Sequence, residues 1–246
     1  MMNLFRTHVF LASSSASPLG AALRAAALGL ALVSALPATA QTPAAAGNAA
    51  TGGIESLEKF VKGTQSGRAA FTQVVTAPAR EGQTPRTKTS TGTFEFLRPN
   101  RFRFVYTKPF EQRIVADGQT LWLHDLDLNQ VTARKLSQVL NGTPAAVIAA
   151  AADLKDLQAD FKLRALPDQD GLQWVEATPK KTDGQLQSIR VAFRVTAQGS
   201  ELAALDILDS FGQRSRMSFT QFEVNPALTP STFQFTPPAG ADVIRQ

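Results

Sequence analysis

The chain has 246 residues, with 25 Lys and Arg against 20 Asp and Glu, a formal net charge of +5 and no cysteine. Its basic residues are scattered along the predicted strands and form no continuous stripe, which argues against a nucleic-acid-binding protein. Without cysteine the chain has no disulfide, no thiol nucleophile and no N-terminal cysteine that could carry a lipid anchor.

The first 40 residues have the pattern of a secretory signal peptide. Arg24 precedes the apolar stretch Ala25–Leu36, and the small residues at 38–40 predict cleavage before Gln41. This apolar stretch is too short for the roughly 20 residues of a membrane span; a buried amphipathic helix is the alternative. Cleavage would leave 206 residues with a formal charge of +3, enough for one sizeable core. We expect an exported, unanchored protein, located in the periplasm of a Gram-negative cell.

Two short segments open the chain after the predicted cleavage site. Residues 41–53 are mostly small and are typical of a flexible leader, and residues 54–246 are expected to form a single domain. The segment Ile54–Lys62 places apolar residues at helical spacing and predicts an amphipathic first helix. A first strand is predicted at Arg68–Thr76, followed by a polar loop over Ala77–Ser90.

The stretch Phe94–Tyr106, which reads FEFLRPNRFRFVY, predicts two strands joined by a turn at Pro99-Asn100. Because strand side chains alternate between faces, Phe94, Phe96 and Arg98 should point to the same side. The second strand should present a matching row of Phe102, Phe104 and Tyr106. The unusual feature is an arginine at the edge of an apolar surface.

Further strands separated by turns follow in the sequence. Ile114–His124 is a predicted hairpin whose Asp117-Gly118 suits a type I′ turn. The later predicted strands are Phe161–Leu166, Gln173–Thr178, Leu186–Val195, Leu202–Phe211, Arg214–Val224 and Phe233–Phe235. One-sided strands at regular turn spacing indicate a mainly β protein with short helices, in which a single antiparallel sheet curls on itself.

One segment interrupts the strands. Thr143-Pro144 suits an N-cap and first helical position, and the alanine-rich helix that it opens shows no polar residue until Asp153. A surface helix normally has a polar stripe. We therefore expect this helix to cover the curled sheet as a plug or lid; packing on the outside of the sheet is the alternative.

The sequence indicates no catalytic site. His124 is the one histidine after residue 40, and beside Asp125 and Asp127 we interpret it as part of a solvated turn, not as a member of a triad or metal site. Neither G-x-x-x-x-G-K-[ST] nor G-x-G-x-x-G, the phosphate-binding motifs, occurs. We expect neither an enzyme nor a cofactor or metal.

The aromatic composition favours an apolar pocket. The chain has 16 phenylalanines and one tyrosine, whereas protein-recognition surfaces favour Tyr, Trp and Arg. A phenylalanine-rich set suits a dry interior or an apolar ligand, and for any single ring a core position is the alternative. We expect the pocket between the two aromatic rows and the alanine-rich helix.

Four stretches resemble the periplasmic outer-membrane lipoprotein carrier family, LolA. They are GTFEFLRPNRFRF (Gly92–Phe104), IVADGQTLW (Ile114–Trp122), GTPAAVIA (Gly142–Ala149) and TFQFTPPAG (Thr232–Gly240). The resemblance extends in order from about Leu57 to the C-terminus. It implies an incomplete, curved antiparallel β-barrel closed by an α-helical lid, with an apolar space that holds the acyl chains of bacterial lipoproteins.

The resemblance also implies residue roles. Arg98 corresponds to a latch that bonds backbone carbonyls of the lid helix and holds the empty carrier closed, and Phe102 to an aromatic residue near the pocket mouth. A solvent-exposed arginine after the turn is the alternative for Arg98. The full set that we expect to contact lipid is Phe94, Phe96, Phe102, Phe104, Tyr106, Trp122, Val147 and Ile148.

The implied partners are acylated lipoproteins, an inner-membrane ABC lipoprotein exporter and an outer-membrane lipoprotein receptor, with the carrier acting as a monomer. Two other functions remain open from the sequence. One is a periplasmic carrier of free lipid or glycolipid with the same fold, and the other is a regulatory module that senses lipoproteins.

Overall fold

The computed structural model describes residues 52–79, 83–139, 148–149, 153–181 and 184–246. The helices are α1 Gly52–Gly63, α2 Leu136–Val139 and α3 Leu154–Asp160, with a short 3₁₀ helix at Pro230–Phe233. The strands are β1 Ser66–Ala77, β2 Arg86–Leu97, β3 Arg101–Lys108, β4 Gln112–Asp117, β5 Thr120–Asp125, β6 Gln130–Lys135, β7 Phe161–Ala165, β8 Gln173–Pro179, β9 Leu186–Thr196, β10 Gly199–Asp209, β11 Arg214–Val224 and β12 Asp242–Arg245. No helix within these ranges is long and apolar enough to cross a membrane.

The described strands form one sheet in the order β12-β6-β5-β4-β3-β2-β1-β11-β10-β9-β8-β7. Neighbours pair antiparallel, except that β12 lies parallel to β6. The sheet is open, with β12 and β7 at its edges. This architecture confirms the predicted mainly β fold with short helices and an incomplete barrel.

The sheet curves around the side chain of Phe60 in α1. The ring centroid of Phe60 lies 6.0 Å from that of Phe96 on β2 and 5.4 Å from that of Phe193 on β9. Four strand spacings separate β2 from β9, about 19 Å in a flat sheet, so one ring reaches both only because the sheet curls. Register shifts in the β1–β11 and β9–β10 pairings mark bulges, which bend a strand and increase its twist.

The concave face is the face toward which α1 packs. Leu57, Phe60 and Val61 are buried, which confirms the predicted amphipathic helix. Ser56 Oγ donates to Gln173 Oε1 at 2.5 Å and accepts from Ser200 Oγ at 3.2 Å. These contacts attach α1 to β8 and β10, at the half of the sheet opposite the aromatic rows.

Two glycines allow rings to lie directly on the concave backbone. A Cβ on Gly67 would lie 2.4 Å from a ring carbon of Phe96. A Cβ on Gly92 would lie 2.1 Å from the carbonyl oxygen of Val105 and 2.9 Å from the ring of Phe71. A larger residue at either position would displace backbone or buried rings, because such distances are well below van der Waals contact.

Two predicted boundaries in the strand regions are wrong. The polar loop predicted over residues 77–90 is shorter, because β2 already begins at Arg86 and pairs with Ala77 of β1. The last strand is not Phe233–Phe235: this segment contains the end of a 3₁₀ helix that begins at Pro230. Asp242–Arg245 forms the last strand instead, after the proline pair, and its parallel pairing with β6 had no local sequence signal.

The alanine-rich segment lies largely outside the described residues. Within it the structure describes Ile148 and Ala149, both buried. Asp153 is the N-cap of the separate helix α3, because its side chain accepts hydrogen bonds from the backbone N–H groups of Lys155 and Asp156. The prediction that a single helix continues through Asp153 is therefore wrong.

Candidate functional site

The two predicted aromatic rows lie side by side on the concave face. Phe94 pairs with Phe104 and Phe96 with Phe102 across β2 and β3, and directly opposite residues share a face. The rings of Phe94 and Phe104 are stacked with centroids 4.4 Å apart, and those of Phe94 and Phe96 are 5.7 Å apart. The alternation in the sequence therefore translates directly into one aromatic surface.

Neighbouring strands extend this surface. The ring of Phe71 on β1 lies 5.8 Å from Phe104 and 5.0 Å from Tyr106, and Phe219 on β11 lies 5.6 Å from Phe94. Phe104 and Tyr106 are half-buried, whereas Phe94, Phe96 and Phe102 are buried. Burial raises the pKa of the Tyr106 phenol above its ordinary value, because the phenolate would lose its hydration.

Arg98 lies at one end of the aromatic surface and is 8% exposed. Its Nε donates to the carbonyl oxygen of Thr64 at 2.9 Å, directly after α1. The guanidinium carbon lies 5.3 Å from the centroid of Phe60 and 5.5 Å from that of Phe96. Burial lowers the pKa of Arg98 to about 10, so the side chain is still a cation at neutral pH.

Arg98 is suited to this position because a helix end presents unpaired carbonyls with negative partial charge. A second side chain serves the same helix end, since Asn225 Nδ2 donates to the carbonyl of Gly63 at 2.9 Å. Arg98 also donates its backbone N–H to the carbonyl of Gln65 at 2.8 Å. The turn that begins at Arg98 is thereby joined to the end of α1.

The same turn contacts the alanine-rich segment. The backbone N–H of Asn100 donates to the carbonyl oxygen of Ala149 at 3.0 Å. Asn100 has φ of 62°, a left-handed conformation that asparagine tolerates better than most residues. The Arg98–Asn100 turn therefore holds two helical segments, α1 through Thr64 and the alanine-rich segment through Ala149. Val147, a predicted lipid contact, lies outside the described residues, and its neighbour Ile148 is buried.

The structure does not bring Trp122 together with the phenylalanine rows. Trp122 pairs with Val115 on β4, which faces away from Phe102 and Phe104. Its indole Nε1 donates to Asp117 Oδ2 at 2.9 Å, and its ring packs against Phe235 at 5.4 Å. In β5, Trp122 points to the opposite face from the residues that share a face with Phe102 and Phe104. It therefore lies on the convex face, beneath the C-terminal segment, and apart from the other predicted lipid contacts.

His124 is buried, and the solvated-turn interpretation is wrong. It is 4% exposed, lies within β5 and packs against the ring of Phe235, with centroids 5.7 Å apart. Burial lowers the pKa of His124, Arg113 lowers it further and Asp125 acts in the opposite direction. The neighbouring Asp125 and Asp127 suggested that His124 is exposed to solvent. Phe235, more than 100 residues away in the chain, covers the imidazole instead.

Sequence reasoning missed three rings of the concave surface. Phe71 lies in β1 and Phe219 in β11, and the register of these two strands brings the residues opposite each other. The third ring, Phe60, lies in the segment predicted to form the first helix, but its contact with Arg98 was not expected. A signal existed for Phe71, which follows the alternation of β1, but strand pairing was needed to place it beside Phe104.

The concave surface is suited to binding apolar groups. Its aromatic rings offer no hydrogen-bond partners apart from the Tyr106 hydroxyl, so affinity would come from apolar area removed from water. The Arg98 cation lies at its margin, where a hydrogen-bonded charge borders a dry surface. This arrangement combines an apolar binding surface with a polar attachment point for the segments that cover it.

Comparison with known proteins agrees with this geometry. The family model described as "Outer membrane lipoprotein carrier protein LolA" matches residues 62–236. A protein of Albidiferax ferrireducens named outer-membrane lipoprotein carrier protein is 70% identical over 209 residues, covering 85% of this chain and 98% of its own length. One of the same name from Methylibium petroleiphilum is 55% identical, covering 82% of this chain and 94% of its own length.

Among solved structures, a LolA superfamily protein from Nitrosomonas europaea is similar with a TM-score of 0.43 and 14% identity, covering 74% of this chain and 97% of that chain. The family model and the two sequence relatives span the strands that carry the aromatic rows and the Arg98 turn. The chain belongs to the LolA family of outer-membrane lipoprotein carrier proteins.

Proposed function

We propose that this protein is a periplasmic chaperone that binds the acyl chains of lipoproteins on its concave aromatic surface and delivers them to an outer-membrane receptor. The observation that carries the proposal is the continuous set of rings around Phe94, from Phe71 to Phe102, on the inside of a curled sheet. The protein performs no covalent chemistry. It receives its cargo from an inner-membrane ABC exporter after its own signal peptide has been removed.

The magnitude of acyl-chain exposure explains why a carrier is required. Each methylene costs about 0.8 kcal/mol to expose, so a chain of about 15 methylenes costs on the order of 12 kcal/mol. A triacylated lipoprotein cannot cross water at that cost. A surface of rings replaces water around the chains, and since the rings offer no hydrogen-bond partner apart from the Tyr106 hydroxyl, the surface leaves the choice of cargo protein unspecified.

The lipid contacts that we propose are the residues of the aromatic rows and the alanine-rich segment: Phe94, Phe96, Phe102, Phe104, Tyr106, Val147 and Ile148. Trp122 is left out because its ring lies on the convex face against Phe235. Since Phe94, Phe96 and Phe102 are buried, cargo must displace whatever covers them. We infer that the covering segments move away from the Arg98–Asn100 turn when cargo enters.

Arg98 acts in this proposal as the latch. Its bond to the Thr64 carbonyl is formed in the present conformation, and a buried guanidinium that loses such a bond is costly. Displacement of α1 by cargo would therefore raise the free energy of the loaded state. The higher free energy of the loaded state favours release of the cargo to a receptor that binds the acyl chains more tightly.

Release of newly made lipoproteins from spheroplasts, followed by their transfer to outer membranes, tests both the carrier function and the latch role of Arg98. The wild-type protein should release lipoproteins, and Arg98→Leu should accept cargo but deliver it several-fold more slowly. The matched control is Arg101→Leu in the same hairpin, whose guanidinium contacts only the Pro99 carbonyl, at 3.4 Å, among the hydrogen bonds of described residues. It should behave as wild type.

Three outcomes would contradict the proposal. Failure of the wild-type protein to release lipoproteins removes the carrier function, whereas normal delivery by Arg98→Leu removes only the latch. Mass spectrometry of material that co-purifies from the periplasm addresses the cargo. Protein-free lipid in place of triacylated protein would assign the surface to free lipid or glycolipid.

A further inference from the structure

Two phenylalanines lie exposed at hairpin tips. Phe110, between β3 and β4, is 58% exposed, and Phe211, between β10 and β11, is 62% exposed. Tight turns normally use Gly, Pro, Asn, Asp and Ser. A single exposed apolar residue needs no explanation. Two exposed phenylalanines in turns at the same end of the sheet, however, raise the question of what they contact.

The strand register shows that both tips lie at one end of the sheet. Thr76 at the end of β1 pairs with Arg214 at the start of β11, and Thr91 of β2 pairs with Lys108 at the end of β3. The two tips therefore lie on either side of the β1–β2 hairpin. Three strand spacings, about 15 Å, separate β3 from β11. This end is opposite to the end that holds the Arg98–Asn100 turn.

The charges around the two tips are mainly basic. The described cations of β2, β3 and β11 at this end are Arg86, Lys88, Lys108 and Arg214, and the described acids beside the tips are Glu111 and Asp209. Asp209 is engaged by its own turn, because its Oδ1 accepts from the backbone N–H groups of Phe211 and Gln213. Lys88 Nζ lies 4.7 Å from the ring centroid of Phe110. Cation and ring thus lie side by side on one tip.

The neighbouring β5–β6 turn has a different character. Leu128 at its tip is also exposed, but Asp125 and Asp127 flank it, and Asp242 lies beside Gln130 at the start of β6. These acids would be repelled by an anionic surface. The basic region is therefore limited to the part of the edge between Phe110 and Phe211.

We propose that Phe110 and Phe211, with the cations around them, dock the protein on an anionic phospholipid bilayer. Phenylalanine is among the apolar residues that enter the boundary between headgroups and acyl chains at membrane-binding surfaces, where Lys and Arg commonly accompany it. Each Lys or Arg near an anionic surface adds a modest attraction, which supports reversible binding rather than anchoring. The docking edge lies at the opposite end of the sheet from the latch turn, so the protein can touch a membrane without blocking that turn.

Vesicle co-sedimentation of the mature protein tests this surface. Vesicles of phosphatidylethanolamine with phosphatidylglycerol are compared with vesicles of phosphatidylcholine alone. The wild-type protein should bind the anionic vesicles and should dissociate at high salt, since surface charges are screened. The double variant Phe110→Ser/Phe211→Ser should bind at least about tenfold more weakly, because both apolar tips are removed from the interface.

Val195→Ser is the matched control. Val195 is 55% exposed, similar to the two tips, but it lies near the end of β9 at the opposite end of the sheet. It should bind vesicles as wild type does. Since all changed residues are exposed, circular dichroism should show unchanged folding for every variant.

Several results would overturn the proposal. They are no binding of wild type to anionic vesicles, equal binding to phosphatidylcholine, or an equal loss in Val195→Ser. Undiminished binding by the double variant would assign vesicle contact to the concave surface instead. If the wild-type protein does not bind vesicles and the double variant fails in lipoprotein delivery, the two tips contact a protein instead of a membrane.

Discussion

The two faces of the β2–β3 hairpin differ in every physical respect although they share the same strands. On the concave face Phe94, Phe96 and Phe104 form a dry aromatic surface. On the convex face Glu95 accepts hydrogen bonds from Arg68 at 2.9 Å and from Arg103 at 2.9 Å. Alternation along one strand thus produces the proposed lipid-binding surface on one side and a row of ion pairs on the other.

The difference shows how this fold can present apolar groups to a ligand and still remain stable. The convex row of ion pairs and the C-terminal segment, which covers Trp122 and His124, stabilise the sheet from outside. The concave rings, of which Phe94 and Phe96 are buried, form the surface that we propose acyl chains enter. Three predictions test this division, beginning with the one of largest effect.

Introducing a charge on the concave face should be far more harmful than introducing it on the convex face. Phe94→Asp places a carboxylate among rings at a site that is 1% exposed, and should cost at least about 4 kcal/mol of unfolding free energy. Thr93→Asp, the adjacent and exposed position, should change it by less than about 0.5 kcal/mol. Urea unfolding measures both. Equal effects would mean that the two faces are not distinct.

Removing the Glu95 carboxylate on the convex face should lower the free energy of unfolding by an intermediate amount. The Glu95 side chain is 8% exposed, whereas Arg68 and Arg103 remain 43% and 35% exposed. Glu95→Ala should therefore cost about 1–2 kcal/mol, less than a fully buried ion pair, because both arginines can regain water. Lipid binding should be unchanged in the same variant. Impaired lipid binding with unchanged stability would contradict the division between the faces.

The smallest expected effect is a pH dependence that arises on the convex face. The pKa of His124 is lowered from its ordinary 6.5, so the unfolded chain binds a proton more readily than the folded protein. Its contribution to stability is complete above about pH 6.5 and decreases as the pH falls below that value. His124→Gln should flatten the decrease in unfolding free energy as the pH falls below about 6.5. An unchanged slope in the variant would show that His124 is not its source.

Local sequence predicted much of the fold because strand alternation is a short-range property. The pairing of Phe94 with Phe104 and of Phe96 with Phe102 follows from one turn and two alternating strands. The same reasoning failed for β12, whose parallel pairing with β6 joins segments more than 100 residues apart. The sequence reasoning also failed for α3. Asp153 is the N-cap of this separate helix, whereas it was interpreted as the first polar residue of the alanine-rich helix.

The candidate site divides in the same way. The aromatic rows and the position of Arg98 at their margin could be predicted, whereas its hydrogen-bond partner Thr64 could not. Trp122 was expected to contact lipid, but strand pairing places it on the convex face, where its ring packs against Phe235. Resemblance to a family locates residues along the chain, but strand register decides which of them meet.

The sequence by itself determined the alternation that separates Phe94 and Phe96 from Glu95, because side-chain direction in a strand depends only on the local backbone. The tertiary structure alone decided that Phe60 meets both Phe96 and Phe193, that Phe235 buries His124 and that Arg98 reaches the end of α1. Those contacts join residues distant in the chain, and they form only after the sheet has curled.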